Sequence, residues 1–393
     1  MKPMGWRFVV VSDFGLDEGA GLLRVPAGGP AEIRSALGVP PGRAEGAILG
    51  LAFLMKHAGE SIRVDALSCA AKDLPARFRE AVFEPEVREL RNPPLGLVLL
   101  DFDFSHQAGD LARLQEMGEM ARVAQAPVVA AASPAFFGLR EWTLLGKLTD
   151  LPQRLADPAH AGWQRFQKTD EARWVVLTVN RWLLRPPVEG KADDLLWGRG
   201  PWLVGAAVAR SASAHGHALD LSGPRAGGFS GMPARPYPKA ANQLVPLPTE
   251  VELPDLAAQE LARGGFTAVS GRTGGDTVMI PLAVNAHRDA PGRLTVSGTL
   301  SYQLTAARLA QFCALLMEEM PAGPAEAVEF LRRNLLEFLG PLAGASPEQA
   351  VAVAPVESRD AEGKTVRQAE ITVRPDARIE GMELRFTFRL PLR

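Results

Sequence analysis

Apolar and polar positions alternate along the chain in short blocks whose spacing predicts the elements directly. Residues 6–11 (WRFVVV) are β-branched and aromatic and stop at Ser12-Asp13, which predicts a buried strand. A Gly/Pro-rich loop follows. Residues 44–57 (AEGAILGLAFLMKH) are helix formers bounded by Gly59, residues 61–67 predict a second strand, and residues 74–82 a helix. The clearest unit is 95–150. An apolar run at 95–100 leads into a polar corner at 101–110, a helix over 111–125 and a second apolar run at 128–132. Strand, helix, strand predicts a βαβ unit, and continuously apolar strands imply a sheet covered on both faces.

Residues 173–184 (RWVVLTVNRWLL) predict one further strand, and 195–217 a helix rich in small residues. Over 221–286 the texture changes to short strands and glycine-rich turns around Pro233, Pro236 and Pro238, with a helix at 254–263. Residues 294–320 predict a strand and a long helix, 324–339 another helix, and 369–392 two strands about a turn near 375–381. The predicted fold class is α/β with an α+β insertion. Its boundaries are a strand and linker region at 1–90, an α/β core at 91–220, the insertion at 221–290, and the rest of the core at 291–393.

In the last strand, Met382, Leu384, Phe386, Phe388 and Leu390 alternate with Glu383, Arg385, Thr387 and Arg389, so one face is apolar and the other polar. Such a strand can close its own sheet or pair with a neighbouring chain by β-augmentation.

Composition narrows the classes. With 47% hydrophobic residues, 22% charged residues and a formal net charge of −2, the chain can bury a large core. It lacks the basic excess that nucleic acid or an anionic membrane would demand. Cys69 and Cys313 are far apart, which suggests neither a disulfide framework nor a cysteine zinc site, and fits a reducing cytoplasm. The apolar stretch at the N-terminus is too short for a membrane span.

Candidate chemistry is sparse. Asp101, Asp103, Ser105 and His106 would supply carboxylates, a nucleophile and a base, and the ends of strands are where α/β enzymes bind ligands. Adjacent Ser105 and His106 do not easily make a nucleophile–base bond, no G-x-S-x-G elbow surrounds the serine, and capping of the following helix by Asp103, Ser105 and Asp110 is the stronger expectation. His215 and His217 lack a third ligand other than Asp220. Residues 223–231 (GPRAGGFSG) and 270–276 (SGRTGGD) lack the Walker Lys-Ser/Thr and read as tight turns. Trp163, Phe166, Trp174, Trp182, Trp197 and Trp202 are expected in the core or at a subunit interface. No catalytic, cofactor or metal-binding residue is expected.

Nine blocks in order carry a resemblance. They include LLDFDFSHQAGDLARL (99–114, with Asp103, Phe104, Ser105 and His106) and APVVAAASPAFFGL (126–139, with Ser133 and Pro134). WQRFQKTDEARWVVLTVNRWLLRPP (163–187) and LLWGRGPWLVGAAV (195–208, with Trp197 and Gly198) follow, then PRAGGFSGMP (224–233) and LPTEVEL (247–253). GGFTAVSGRTGGD (264–276), LSYQLTAARLAQF (300–312) and IEGMELRFTFRL (379–390) complete the series. In this order they resemble the large sheath subunit of type VI secretion systems, the TssC or VipB family.

The resemblance implies a structural, polymer-forming protein and no enzyme. It implies pairing with a small sheath subunit of the TssB or VipA kind, stacking into a helical tube around a Hcp-like inner tube, anchorage on a baseplate, and strand exchange between neighbours. The first strand, with Trp6, Phe8 and Val10, resembles the opening of the small subunit instead. Family members are generally longer and begin with an extension recognised by a ClpV-type ATPase, so ATPase recycling stays open. The alternative within the family is a non-contracting adaptor or baseplate component.

Overall fold

The computed structural model describes residues 4–17, 19–89, 93–147, 150–187, 194–239, 243–290, 293–359 and 365–392. The chain forms two compact units, one of residues 5–305 and one of residues 306–393 joined by the residues before Gly5.

The first unit is built on a seven-stranded sheet. Its strands are β1 (Trp6–Ser12), β2 (Leu23–Arg24), β3 (Ile62–Ser68), β4 (Leu95–Phe104), β5 (Val128–Ala132) and β6 (Val175–Val179), with β12 (Phe266–Ala268) at one edge. The order is β12-β6-β5-β4-β1-β3-β2, parallel except for β2. Every residue of β1, β5 and β6 is buried, as continuous apolar runs require when both faces of a sheet are covered. One face packs against the Glu45–His57 and Gly200–His215 helices through Phe8, Val10, Leu97, Leu99, Val129 and Val176. The Ala108–Ala124 helix bridges β4 and β5, burying Leu111, Leu114, Met117 and Met120.

Small residues make the helical layer close-packed. A Cβ on Gly205 would lie 2.4 Å from Leu99 Cδ1, and one on Gly50 would lie 2.4 Å from the Trp202 ring. The Gly200–His215 helix is therefore small along its sheet face because larger side chains would separate it from β4 and from its neighbour.

The first unit departs from the expectations in four places. Residues 173–184 are two strands, not one, because Asn180 takes a left-handed conformation (φ 80°) that turns the chain out of the sheet. Beyond it, β7 (Arg181–Arg185) pairs with β8 (Leu196–Arg199), a hairpin strand where the start of a helix was expected. The region 221–290 is no separate insertion. It holds the short strands β9 (Gly228–Phe229), β10 (Arg235–Pro238) and β11 (Leu244–Leu247), but β12 pairs with β6 of the main sheet. The short strands β13 (Ser270–Gly271) and β14 (Val278–Met279) form a small sheet with β9. The strand expected before the Leu300–Glu319 helix is a 3-10 turn, Val296–Gly298.

The second unit continues from that helix into the Pro324–Leu339 helix and a three-stranded antiparallel sheet of β15 (Val351–Arg359), β16 (Thr365–Val373) and β19 (Phe386–Pro391), ordered β15-β16-β19. Between β16 and β19 a separate hairpin forms from β17 (Arg378–Ile379) and β18 (Met382–Glu383). The expected terminal strand is thus two pieces. Met382 belongs to the hairpin, and Leu384 and Arg385 lie between strands. Glu380 at φ 51° and Gly381 at φ 77° make the tight turn that redirects the chain.

Candidate functional site

Two regions gather the residues singled out by sequence: the carboxyl end of the main sheet and the β19 edge of the small one. In the main sheet, β1 connects onward to one side and β4 to the other, so the crevice between their carboxyl ends is the switch point where open α/β sheets bind ligands. Here the crevice is occupied by the chain itself. Strand β4 runs on through the predicted polar corner, and its two-residue period puts Asp101 and Asp103 on one face. Both reach Arg199, which donates from Nη1 to Asp101 at 3.1 Å and from Nε to Asp103 at 2.9 Å. Ser12 Oγ at the end of β1 donates to Asp101 at 3.0 Å, and Trp202 Nε1 donates to it at 3.1 Å. Burial pushes the Asp101 carboxyl above its ordinary range, against the pull of Arg199, Ser12 and Trp202. The cluster ties β1 and β4 to the start of the Gly200–His215 helix.

Ser105 and His106 are engaged elsewhere. Ser105 donates from both its backbone N–H, at 2.7 Å, and its Oγ, at 2.6 Å, to the Asp110 carboxylate. His106 places Nδ1 3.0 Å from the carbonyl oxygen of Ala135 and packs against His160 with ring centroids 4.7 Å apart and the rings tilted by 32°. The serine has a carboxylate and the histidine a carbonyl, so the pair is not arranged as nucleophile and base. Burial opposes the Asp110 charge, but the bonds from Ser105 and Arg113 outweigh it and hold this carboxyl below the usual range. Ser133 donates its backbone N–H to Phe104 at 2.7 Å, and Pro134 opens the 3-10 turn Pro134–Phe137, so this motif pair locks β5 to the end of β4. Phe104 is buried. Gly198 lies against Trp182 and Leu184, where a Cβ would come within 2.8 Å of Leu184, and Trp197 beside it faces the guanidinium of Arg235.

Trp6, Phe8 and Val10 are buried in the core, and β1 is hydrogen-bonded on both sides, by β3 and β4. It has no free edge. The last strand differs. In β19, Phe386 is buried and Phe388 and Leu390 half-buried, while Thr387 and Arg389 point outward. One side pairs with β16, in the register Arg389↔Glu370 and Ile371↔Phe388, and Arg389 forms an ion pair with Glu370 at 2.8 Å. Leu392 N–H donates to Arg367 O at 2.9 Å. Alternation of hydrogen-bonded pairs then leaves the N–H and C=O groups of Thr387 and Arg389 facing away from β16. Pro391 occupies an outward position too, which suits a strand at the edge of its sheet.

The sheath-protein model described as EvpB/VC_A0108, tail sheath N-terminal domain (VipB), matches residues 43–285, more than half of the chain. The chain belongs to this tail sheath family. It is a structural subunit of a contractile type VI secretion sheath. The type VI secretion system sheath protein TssC1 of Pseudomonas aeruginosa is 23% identical over 348 residues, covering 79% of this chain and 70% of that protein. Among solved structures, a chain of the anti-feeding prophage baseplate is similar with a TM-score of 0.56 at 13% identity, covering 98% of this chain and 94% of that one. A chain of the contracted anti-feeding prophage helical sheath is similar with a TM-score of 0.55 at 10% identity, covering 93% and 88%. Both share the fold.

For a sheath subunit the cluster at the end of β1 and β4 is a clamp, and it was only half visible in the sequence. Asp101 and Asp103 stood out as charges beside an apolar run. Arg199 did not, because its partners are about a hundred positions away and nothing local marks it; Trp202 was expected only as a core or interface aromatic, not as a donor to Asp101.

Proposed function

We propose that this chain is the large subunit of the sheath and polymerises in the cytoplasm with a small subunit of the TssB kind, around a Hcp-like inner tube and on a baseplate. Two-state contacts between rigid subunits, rather than a reaction centre, then carry the work of contraction. Among the described residues no helix is long and apolar enough to cross a membrane.

The observation that supports a specific joint is the outer edge of β19 at Thr387 and Arg389, which no strand among the described residues pairs with. A strand from a neighbour added there would be held by the main-chain groups of Thr387 and Arg389, with exposed Met382 and Arg385 and half-buried Phe388 and Leu390 around it and Leu384 and Phe386 anchoring the strand from within. The buried β1, with Trp6, Phe8 and Val10, would instead hold the subunit rigid. The family-matching residues Asp103, Phe104, Ser105, His106, Ser133, Pro134, Trp197 and Gly198 would serve the same rigidity. Whether a ClpV-type ATPase recycles the sheath is independent of this joint.

The test uses two substitutions that break the same Arg389–Glu370 ion pair. Arg389→Ala keeps the outward N–H, and Arg389→Pro removes it where the chain's own sheet does not use it. Co-produced with the small subunit, the Ala variant should assemble into sedimentable polymer and the Pro variant should not, with equal thermal unfolding for both. Equal assembly by both would refute the edge-strand joint. A non-contracting baseplate component would give discrete particles with the unaltered chain as well.

A further inference from the structure

A second feature lies on the outer side of the helical layer. The Glu45–His57 helix, β7 and the glycine-rich turn at 223–233 enclose an open cavity of about 480 Å³. That is within the range of roughly 300–1,000 Å³ typical of binding pockets. Three cations line it, Lys56, Arg210 and Arg225, and no aspartate or glutamate does. Among the described residues none of the three makes an ion pair.

Arg210 is fixed rather than solvated. Its guanidinium donates to the backbone carbonyls of Gly228, at 2.9 Å, and of Ala226, and lies 4.4 Å from the centre of the Phe229 ring. Carbonyls and a ring face orient the charge without neutralising it. Phe229 in turn meets Phe53 at 5.2 Å and His57 at 5.1 Å, which gives the cavity an aromatic wall of low dielectric constant that strengthens the field of the three cations. Lys56 and Arg225 are exposed at the rim. The turn is built for this placement: Gly227 and Gly228 approach backbone so closely that a Cβ on Gly228 would fall 2.2 Å from Pro224 O.

A fixed, uncompensated guanidinium flanked by two exposed cations matches carboxylates spaced along a chain better than it matches one small anion. The sequence carries 45 acidic residues beside its 43 basic ones, so a neighbouring copy of the chain has carboxylates to supply. We propose that the cavity docks an acidic peptide segment of a neighbouring sheath subunit, its carboxylates held by Lys56, Arg210 and Arg225. The source of the segment rests on the sheath reading above; the pocket and its charge preference do not.

The experiment titrates hexaglutamate peptide into the full-length protein by calorimetry, at low and high salt, with inorganic phosphate as a separate titrant. Lys56→Glu/Arg225→Glu alters only exposed rim side chains, and unfolding temperature checks that it folds. The peptide should bind, more weakly at high salt, and at least about tenfold more weakly to the double variant. With the small subunit present, that variant should also fail to form tubes. Absence of peptide binding, an unchanged affinity in the double variant, or phosphate binding as tightly as the peptide would each overturn the proposal. Tubes without peptide binding would keep the sheath and discard the pocket. Peptide binding by a chain that never forms tubes would keep the pocket and discard the neighbouring subunit as its source.

Discussion

Replacing Arg199 with methionine isolates the clamp at the carboxyl end of the main sheet. The change keeps the apolar stem but removes the cation between Asp101, whose side chain is 8% exposed, and Asp103, 34% exposed. Breaking a buried pair from one side costs about 3–5 kcal/mol, because the remaining charge is left desolvated. Ser12 and Trp202 still donate to Asp101 and soften this, so the Asp101 arm should cost about 3 kcal/mol. The half-exposed Asp103 arm adds no more than about 1 kcal/mol. Urea unfolding followed by tryptophan fluorescence, which reports the Trp-rich first unit, measures the total.

Two further results are fixed by the same reasoning. Adding Asp101→Asn removes the stranded charge while keeping an acceptor for Ser12 and Trp202, so the double variant should recover most of the loss. In the single variant burial raises the Asp101 pKa in the folded state against only the Ser12 and Trp202 bonds, so the folded chain takes up a proton more readily than the unfolded one. Its stability deficit should therefore shrink as pH falls from 7 toward 4. A cost under about 1 kcal/mol, or no recovery on adding Asp101→Asn, would refute the clamp.

Gly205→Val should cost about 1–3 kcal/mol in the same unfolding assay, since its Cβ would meet Leu99 at 2.4 Å and force the Gly200–His215 helix off the sheet. Asn180→Ala should cost about 2–4 kcal/mol, because its side chain donates to Val251 O and Val269 O, both at 2.9 Å, and tolerates the left-handed backbone. Asn180→Gly should be milder than Ala, as it relieves the backbone alone. His57 is held at about 4, below its ordinary 6.5, by burial and then by the charges of Arg210 and Lys56. The unfolded chain binds the proton first, so stability is lost as pH falls from 6.5 to 4. With the side chain half-exposed, the loss should be about 1–2 kcal/mol. His57→Gln should flatten that part of the stability–pH curve.

Much of the main sheet was legible because burial on both faces leaves nothing for a strand to be but apolar, as at 6–11, 95–100 and 128–132. The Ala108–Ala124 helix was legible because two such runs must be joined by a crossover. What escaped notice depended on distant partners or on one residue's backbone. Asn180 breaks an apolar run that reads as continuous, and only its bonds to Val251 and Val269 reveal why. Phe266–Ala268 is too short to declare itself as a sheet strand until β6 is beside it. The last strand shows the period of a strand from Met382 onward, but the turn at Glu380 and Gly381 spends its first residues on a separate hairpin. The alternation in β19 predicted its two faces; it could not tell which edge β16 would fill.

The most direct test of the central claim is electron microscopy of the full-length chain produced together with its small subunit. Hollow tubes of regular helical order, containing both chains, are the predicted result. A population of discrete particles, with both chains folded and no tubes at any concentration, would contradict it.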